Sequence, residues 1–294
     1  MEKIIPHLWY DKEAKEAAEF YISLFENSKL LNTAVLDNTP SGNAETVNFI
    51  LAGLPFAAIS AGPFFKFNPS ISLSVACSSR PEVKRLWNAF SEGGTVLMPL
   101  DNYPFSALYG WVQDRYGLSW QLILHDFAPI TQKITPSLLF SGSVTGKAEE
   151  AMEFYTSIFE NSEITFINRY AEGEAKAKNA KINFASFKLN NTNFSAGDNG
   201  FDTNYSFNES FSLIINCKNQ SEIDYYSEKL SHVPEAEQCG WVKDKYGISW
   251  QIIPRSMNEI LSSGTKEEIK RVTDAFLKMK KFDIDALEKA KRGY

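Results

Sequence analysis

A twelve-residue segment that occurs twice limits what this chain can fold into more than any other feature. Residues 110–121 read Gly-Trp-Val-Gln-Asp-Arg-Tyr-Gly-Leu-Ser-Trp-Gln and residues 240–251 read Gly-Trp-Val-Lys-Asp-Lys-Tyr-Gly-Ile-Ser-Trp-Gln, so nine of the twelve positions are identical. Two shorter blocks also recur in the same order, at 17–28 and 151–162. The chain is therefore predicted to be two diverged copies of one domain, joined head to tail.

Each copy has the hydrophobic pattern of a mixed α and β domain. Apolar residues recur at helical spacing over 14–25 and over 148–159, which predicts an amphipathic helix early in each copy. An apolar strand precedes each helix, and alternating strands follow it, which gives the order βαβββ. A second such unit begins at residue 71 in copy one and at residue 211 in copy two. The chain should therefore contain four βαβββ units.

The two copies are less similar outside these blocks. Residues 47–49 (Val-Asn-Phe) are aligned with residues 182–184 (Ile-Asn-Phe). Copy two lacks ten residues before its Gly-Trp-Val motif, where copy one carries the segment 93–101. The rims of the two copies should therefore differ, and copy one, which has the longer rim, is expected to carry the better binding cup.

Composition excludes several classes of protein. No apolar run approaches the roughly 20 residues that span a bilayer, and the N-terminal residues lack the pattern of a signal peptide, so we expect a cytoplasmic protein. The three cysteines, Cys77, Cys217 and Cys239, are widely spaced and predict reduced thiols. The net charge is −6, and the body without the basic residues 265–294 is more acidic still, which argues against nucleic acid as a partner.

The motifs, taken together, resemble one family. Pro-x-Leu-Trp-Tyr at 6–10, Gly-Pro-Phe-Phe-Lys-Phe at 62–67 and the repeated Gly-Trp-Val segment are similar to the PhnB-like domain. That domain belongs to the vicinal oxygen chelate superfamily, with the glyoxalases, extradiol dioxygenases and bleomycin or fosfomycin resistance proteins. The resemblance implies an α+β fold in which four βαβββ units form two half-open barrels. It divides the chain into domains at 1–128 and 129–256 and a basic helical tail at 257–294.

The resemblance also implies where a divalent metal would bind. The superfamily motif Asp-x-x-Gly-x-x-x-Glu aligns with 114–121 and with 244–251, and in both copies its Glu is replaced by Gln. The first-strand His position falls at Ile4 and Ile134, and the second-unit His position falls at Ser70 and Ser210. Amides and hydroxyls do not replace imidazoles and carboxylates as ligands of Zn, Fe or Mn. No metal and no other cofactor is therefore predicted.

The candidate ligand-binding residues come from this register and from the aromatic rim. They are Gln121, Gln251, Ser72, Ser212, Phe65, Phe67, Trp111 and Trp241. Each has a structural alternative: the glutamines can bond to neighbouring backbone, the serines can face the packed side, and the tryptophans can belong to the core. The rim phenylalanines would close over an aromatic or prenylated ligand. No catalytic residue is assigned, and His7 is interpreted as a strand residue.

The predicted function is metal-independent binding of a small apolar or aromatic molecule, either for sequestration or resistance or for an unassigned enzymatic activity. One alternative is a metal-dependent lyase, isomerase or dioxygenase. Family members are often labelled as 3-demethylubiquinone-9 3-methyltransferase, so a second alternative is an S-adenosylmethionine-dependent methyltransferase, although the sequence lacks the usual Gly-rich turn. The fused copies should act as a monomeric pseudo-dimer. The tail should dock on the acidic body or contact a partner or membrane surface.

Overall fold

The computed structural model describes residues 2–125 and 129–294, except for the side chains at 258, 259 and 262. The predicted boundary between the copies, at 128, lies outside the described residues. Copy one contains β1 (Ile4–Tyr10), α1 (Ala14–Leu24), β2 (Lys29–Thr39), β3 (Gly42–Leu51), β4 (Leu54–Ser60), β5 (Ile71–Cys77), α2 (Arg80–Ser91), β6 (Thr95–Tyr103), β7 (Ser106–Gln113) and β8 (Ser119–Leu124). The two predicted βαβββ units of copy one are confirmed.

Copy two repeats this order with one strand fewer. It contains β9 (Ile134–Phe140), α3 (Ala148–Ile158), β10 (Glu163–Arg169), β11 (Ile182–Leu189), β12 (Thr192–Asp198), β13 (Phe211–Cys217), α4 (Gln220–Leu230), β14 (Trp241–Lys243) and β15 (Ser249–Pro254). Because of the ten-residue deletion, the fourth unit has a 3-10 turn at Pro234–Ala236 where copy one has β6. The tail forms α5 (Arg255–Ser263), α6 (Lys266–Phe276) and α7 (Ile284–Arg292).

The strands form two open sheets, and each sheet contains strands from both copies. The seven-stranded sheet has the order β14-β15-β13-β1-β4-β3-β2, and the eight-stranded sheet has the order β10-β11-β12-β9-β5-β8-β7-β6. The copies join where β1 pairs with β13 and where β5 pairs with β9, both antiparallel. We call the curved inner faces of the seven-stranded and eight-stranded sheets the first cup and the second cup.

Neither cup therefore belongs to one copy. The first cup combines the first unit of copy one with the second unit of copy two, and the second cup combines the other two units. The rim segment 62–67 follows a strand of the first cup, whereas 93–109 includes β6 and the start of β7 in the second cup. Because strand pairing exchanges units between the copies, each cup contains one of the two rim segments of copy one.

The repeated Gly-Trp-Val motif is mainly a structural device. The carboxylate of Asp114 accepts hydrogen bonds from the Tyr21 hydroxyl and the Trp120 indole, each at 2.8 Å, and from the backbone N–H groups of Tyr116 and Leu118. Burial raises the pKa of Asp114 to about 6. Copy two repeats all four contacts around its own aspartate. The motif ties helix α1 to the turn between β7 and β8, which explains its strong similarity between the copies.

The weaker alignment between the copies is shifted by three residues. Phe49 stacks on Phe56 with ring centroids 5.5 Å apart, and Phe187 stacks on Phe194 at the same separation. The structural counterpart of Phe49 is therefore Phe187, while Phe184 is 47% exposed. A shift of three residues exchanges the two faces of a strand, so the alignment by the letters Asn-Phe placed Phe184 on the wrong face.

The tail is docked on the body, which is one of the two alternatives that the sequence left open. The backbone N–H groups of Cys239 and Gly240 each donate to a carbonyl in the tail, those of Met279 and Lys280, at 2.8 Å. The tail thus covers the edge beside β14 that the missing strand would have paired. Helices α5 and α6 also contact β2 at the opposite edge of the same sheet. Within the described residues, no helix is long and apolar enough to cross a membrane.

Candidate functional site

A cavity of about 460 Å³ occupies the first cup. Strands β1 to β4 line one side, β14 and β15 line the other, and the tail contributes to the wall nearest β14. Aromatic residues line the cavity from both groups of strands, from the rim segment and from the tail. They are Trp9, Trp241, Phe65, Phe276 and Phe282. Small side chains such as Ala34, Ala44, Ala57 and Ala58 leave the space between these rings open.

The strand and rim aromatics form a connected wall. Trp9 meets Phe65 edge to face at 5.1 Å between ring centroids, and it meets Trp241 at 6.1 Å. The Trp9 indole also donates to the carbonyl of Gly62 at 2.8 Å, which fixes the start of the rim segment. Edge-to-face contacts of this kind hold rings in defined orientations. The wall is therefore preorganised to contact a flat apolar ligand.

Three polar side chains form the floor of the first cup, and we call them the polar floor. The side-chain amide nitrogen of Gln251 donates to Ser212 Oγ at 2.9 Å, and Ser212 Oγ lies 3.2 Å from His7 Nδ1. Ser212 Oγ therefore bridges the amide of Gln251 and the ring nitrogen of His7. Burial lowers the pKa of His7 to about 3, so the imidazole is neutral at physiological pH.

The second cup has a related arrangement with one decisive difference. Gln121 donates its amide nitrogen to Ser72 Oγ at 2.7 Å, as Gln251 does to Ser212. In the second cup, however, the Tyr109 hydroxyl donates to Gln121 Oε1 at 2.8 Å. Among the described residues no side chain makes that contact to Gln251. The repeat aligns Tyr109 with Cys239, whose shorter side chain lines the cavity.

The structure divides the eight predicted site residues among three places. Gln251, Trp241 and Phe65 line the cavity of the first cup, and Ser212 lies fully buried beneath Gln251. The residues in the eight-stranded sheet are Gln121, Ser72 and Trp111. Phe67 does not reach the cavity, because its ring packs against Tyr10 at 5.1 Å between ring centroids.

His7 and Trp9 also line the cavity, although neither was predicted to do so from the sequence. Both lie on β1 and alternate with buried residues of the opposite face. Strand β1 pairs with β13 so that His7 lies opposite Ser212, and in the other sheet Ser137 lies opposite Ser72. The counterpart of His7 is therefore a serine. A search for residues shared by the two copies could not find it.

The residues present do not fit a metal centre of the superfamily type. Ile4, which the resemblance aligned with a metal ligand, is buried and lies three residues from His7, so it faces the opposite side of the strand. The polar floor supplies one imidazole, one hydroxyl and one amide. Within residues 2–125 and 129–294, no group of three or more His, Cys, Asp or Glu side chains is placed to hold a metal ion. Divalent transition metals are usually held by several imidazole, thiolate or carboxylate ligands, and the polar floor supplies only one of these.

Solved structures with similar folds support this architecture. Glyoxalase I from Zea mays is 12% identical, with a TM-score of 0.52, over 89% of this chain and 98% of its own. A protein from Bacillus subtilis strain 168 named as a dioxygenase is 11% identical, with a TM-score of 0.51, over 85% of this chain and 84% of its own. At such identities the likeness concerns the fold alone. No curated protein is significantly similar to this chain.

A nearer relative in sequence covers one copy. A PhnB protein from Bacillus cereus, whose name includes 3-demethylubiquinone-9 3-methyltransferase, is 35% identical over 42% of this chain and 100% of its own, with a TM-score of 0.40. The family model described as 3-demethylubiquinone-9 3-methyltransferase matches residues 2–123 and again residues 132–253. With both copies matched, this chain belongs to that PhnB-like family, and its fold is glyoxalase-like.

Proposed function

We propose that this protein binds one small apolar or aromatic molecule in the cavity of the first cup, and that it does so without a metal ion. The observation that carries the proposal is an aromatic wall above a neutral polar floor, in a cavity of about 460 Å³. Cavities of roughly 300–1,000 Å³ with mostly apolar walls and few polar groups are typical of small-molecule sites.

The chemistry of the floor supports a binding role, for sequestration or resistance, over acid and base catalysis. A general base works best when its pKa lies near the working pH. Burial lowers the pKa of His7 to about 3, which makes it a weak base, and its floor neighbours Ser212 and Gln251 are neutral. Because this network is neutral, it can orient a ligand without the free-energy cost of removing a charged group from water.

Retention and titration of a ligand test this proposal. Native mass spectrometry of gently purified protein should detect one retained small molecule per chain. Protein freed of it should bind the neutral fluorescent probe N-phenyl-1-naphthylamine at one saturable site. Phe65→Ala and Trp241→Ala should each weaken that binding by about tenfold, because both rings line the cavity.

Phe184→Ala is the matched control, since Phe184 is an exposed aromatic residue on the eight-stranded sheet and its loss should leave the affinity unchanged. Absence of both a retained molecule and a saturable probe site would contradict the proposal. Stoichiometric Zn, Mn, Fe or Ni in the purified protein would favour the metal-dependent alternative. Calorimetric binding of S-adenosylmethionine would favour the methyltransferase alternative.

A further inference from the structure

We infer that the ligand of the first cup carries an uncharged hydroxyl group on an aromatic ring and that this hydroxyl donates its hydrogen to Oε1 of Gln251. The inference deepens the proposed function and depends on it. It names the chemical class of the ligand, a neutral phenol, and the side-chain atom that recognises the hydroxyl.

The second cup already contains such a contact, made by the protein itself. The phenol ring of Tyr109 places its hydroxyl 2.8 Å from Gln121 Oε1, while the Gln121 amide nitrogen is held by Ser72. Tyr109 is buried and its ring packs against Tyr103 and Phe105, at 5.5 and 5.0 Å between ring centroids. In the second cup, a phenol hydroxyl of the protein itself thus satisfies this glutamine.

The first cup keeps the glutamine and lacks the tyrosine. The amide nitrogen of Gln251 is held by Ser212, and Oε1 has no hydrogen-bond partner among the described residues. The repeat aligns Cys239 with Tyr109, although Cys239 lies in the turn before β14 with φ +52°, and both Cys239 and Gln251 line the cavity. A carbonyl oxygen in an apolar cavity gains by accepting a hydrogen bond from a ligand, because an unpaired polar atom is costly there.

The surroundings of Oε1 favour an uncharged aromatic group over an anion. The rings of Trp9, Phe65 and Trp241 offer apolar faces and edges to a ligand ring. The polar floor carries no positive charge, because the His7 imidazole is neutral. A carboxylate or phosphate would meet the negative end of the Gln251 carbonyl without a cation to offset it.

Three matched probes test the inference: 2-naphthol, 2-methoxynaphthalene and 2-naphthoate, each titrated calorimetrically into protein freed of retained ligand. The naphthol should bind about tenfold more tightly than the methyl ether, which cannot donate a hydrogen and leaves Oε1 unpaired. The naphthoate should bind more weakly than both. In Gln251→Leu the preference for naphthol over the ether should disappear, because leucine offers no acceptor.

Two further variants separate recognition from folding. Tyr109→Phe removes the corresponding hydroxyl from the second cup, and it should keep the tenfold preference of the first cup. Cys239→Tyr should add bulk to the cavity wall and weaken binding of all three probes, while thermal unfolding shows that the protein is folded. If Gln251→Leu does not fold, the ratio of naphthol to ether in the wild-type protein still decides the question.

The possible results distinguish this inference from the proposed function. Equal affinities for naphthol and methyl ether, with saturable binding of both, would overturn the inference and leave the proposed function standing. Tightest binding of the naphthoate would also overturn it. If none of the three probes and no neutral apolar probe binds at a saturable site, both the inference and the proposed function are wrong.

Discussion

At the residue scale, most residues of the repeated motif stabilise the fold, and the candidate site consists mainly of other residues. The aspartate and second tryptophan of the repeated motif hold the fold together, as the four hydrogen bonds to Asp114 show. Of the predicted motif residues, Trp241 and Gln251 line the cavity of the first cup. His7 and Cys239 were not identified because they differ between the copies, and comparison of repeats selects what is shared. The structure supplied them through strand pairing.

The buried imidazole of His7 gives a prediction on pH dependence. Burial lowers the pKa of His7 from 6.5 to about 3, so the unfolded chain takes up a proton that the folded chain excludes. Stability from this residue is present above the unfolded pKa and is lost as pH falls toward the folded pKa. Between about pH 7 and about pH 5.5, the wild-type unfolding free energy should fall by about 1 kcal/mol more than that of His7→Gln.

Urea unfolding followed by fluorescence at several pH values measures this difference. Glutamine can still accept the hydrogen of Ser212, so the variant retains a floor contact without a titrating group. His232→Gln removes a histidine at an exposed position outside the polar floor and is the matched control. Parallel pH profiles for the wild type and His7→Gln would show that His7 is not excluded from protonation in the folded protein.

At the element scale, local pattern predicted the helices and most strands well, because hydrophobic periodicity depends on residues close in sequence. It failed where an element depends on distant partners. The alignment of β11 with β3 was wrong by three residues. The fourth unit also lacks one strand, and the tail covers the edge left open beside β14 through the carbonyls of Met279 and Lys280. An edge of this kind needs covering, because unpaired backbone groups are costly and invite aggregation.

The contact between the tail and Gly240 can be tested by adding one methyl group. Gly240 has φ +79°, and a Cβ there would lie 2.6 Å from the Phe282 ring and 2.9 Å from the Ile252 carbonyl oxygen. Gly240→Ala should therefore lower the unfolding free energy by about 1–3 kcal/mol more than Gly173→Ala. Gly173 has φ +75° and no atom within 4 Å of an added Cβ. Gly173→Ala therefore measures the cost of the positive φ without a steric clash.

Limited trypsin digestion provides the second readout for this pair of variants. The tail carries several lysines between α6 and α7, and cleavage there requires the segment to leave the body. Gly240→Ala should be cut faster in this segment, whereas Gly173→Ala should be cut there at the wild-type rate. Equal cleavage rates would mean that the segment docks independently of Gly240.

At the scale of the whole molecule, the two sheets make the copies inseparable. The sequence predicted the duplication and the half-open barrels, and the similar folds support both. It did not predict which units share a sheet, because the same βαβββ pattern can pair within a copy or between copies. Pairing of β1 with β13 and of β5 with β9 settles this in favour of exchange. Each copy is therefore completed by the other.

Shared sheets predict that the full chain unfolds in one transition. Leu213 is fully buried on β13, next to β1 and β15. Leu213→Ala should lower the stability by about 2–5 kcal/mol and move one calorimetric peak as a whole. The calorimetric and van't Hoff enthalpies should agree in both proteins. Two separate peaks, of which only one moves, would contradict the expected cooperativity between the copies.

The replacement of Tyr109 by Cys239 has a consequence for how such a protein can evolve. In an assembly of two identical chains, every substitution appears in both sites at once, so no site can be altered while its twin is spared. Joining the two chains into one polypeptide removes that constraint. One site can keep a structural role, with its glutamine satisfied by its own tyrosine. The other site can then acquire substitutions that suit a new ligand without destabilising the shared sheets.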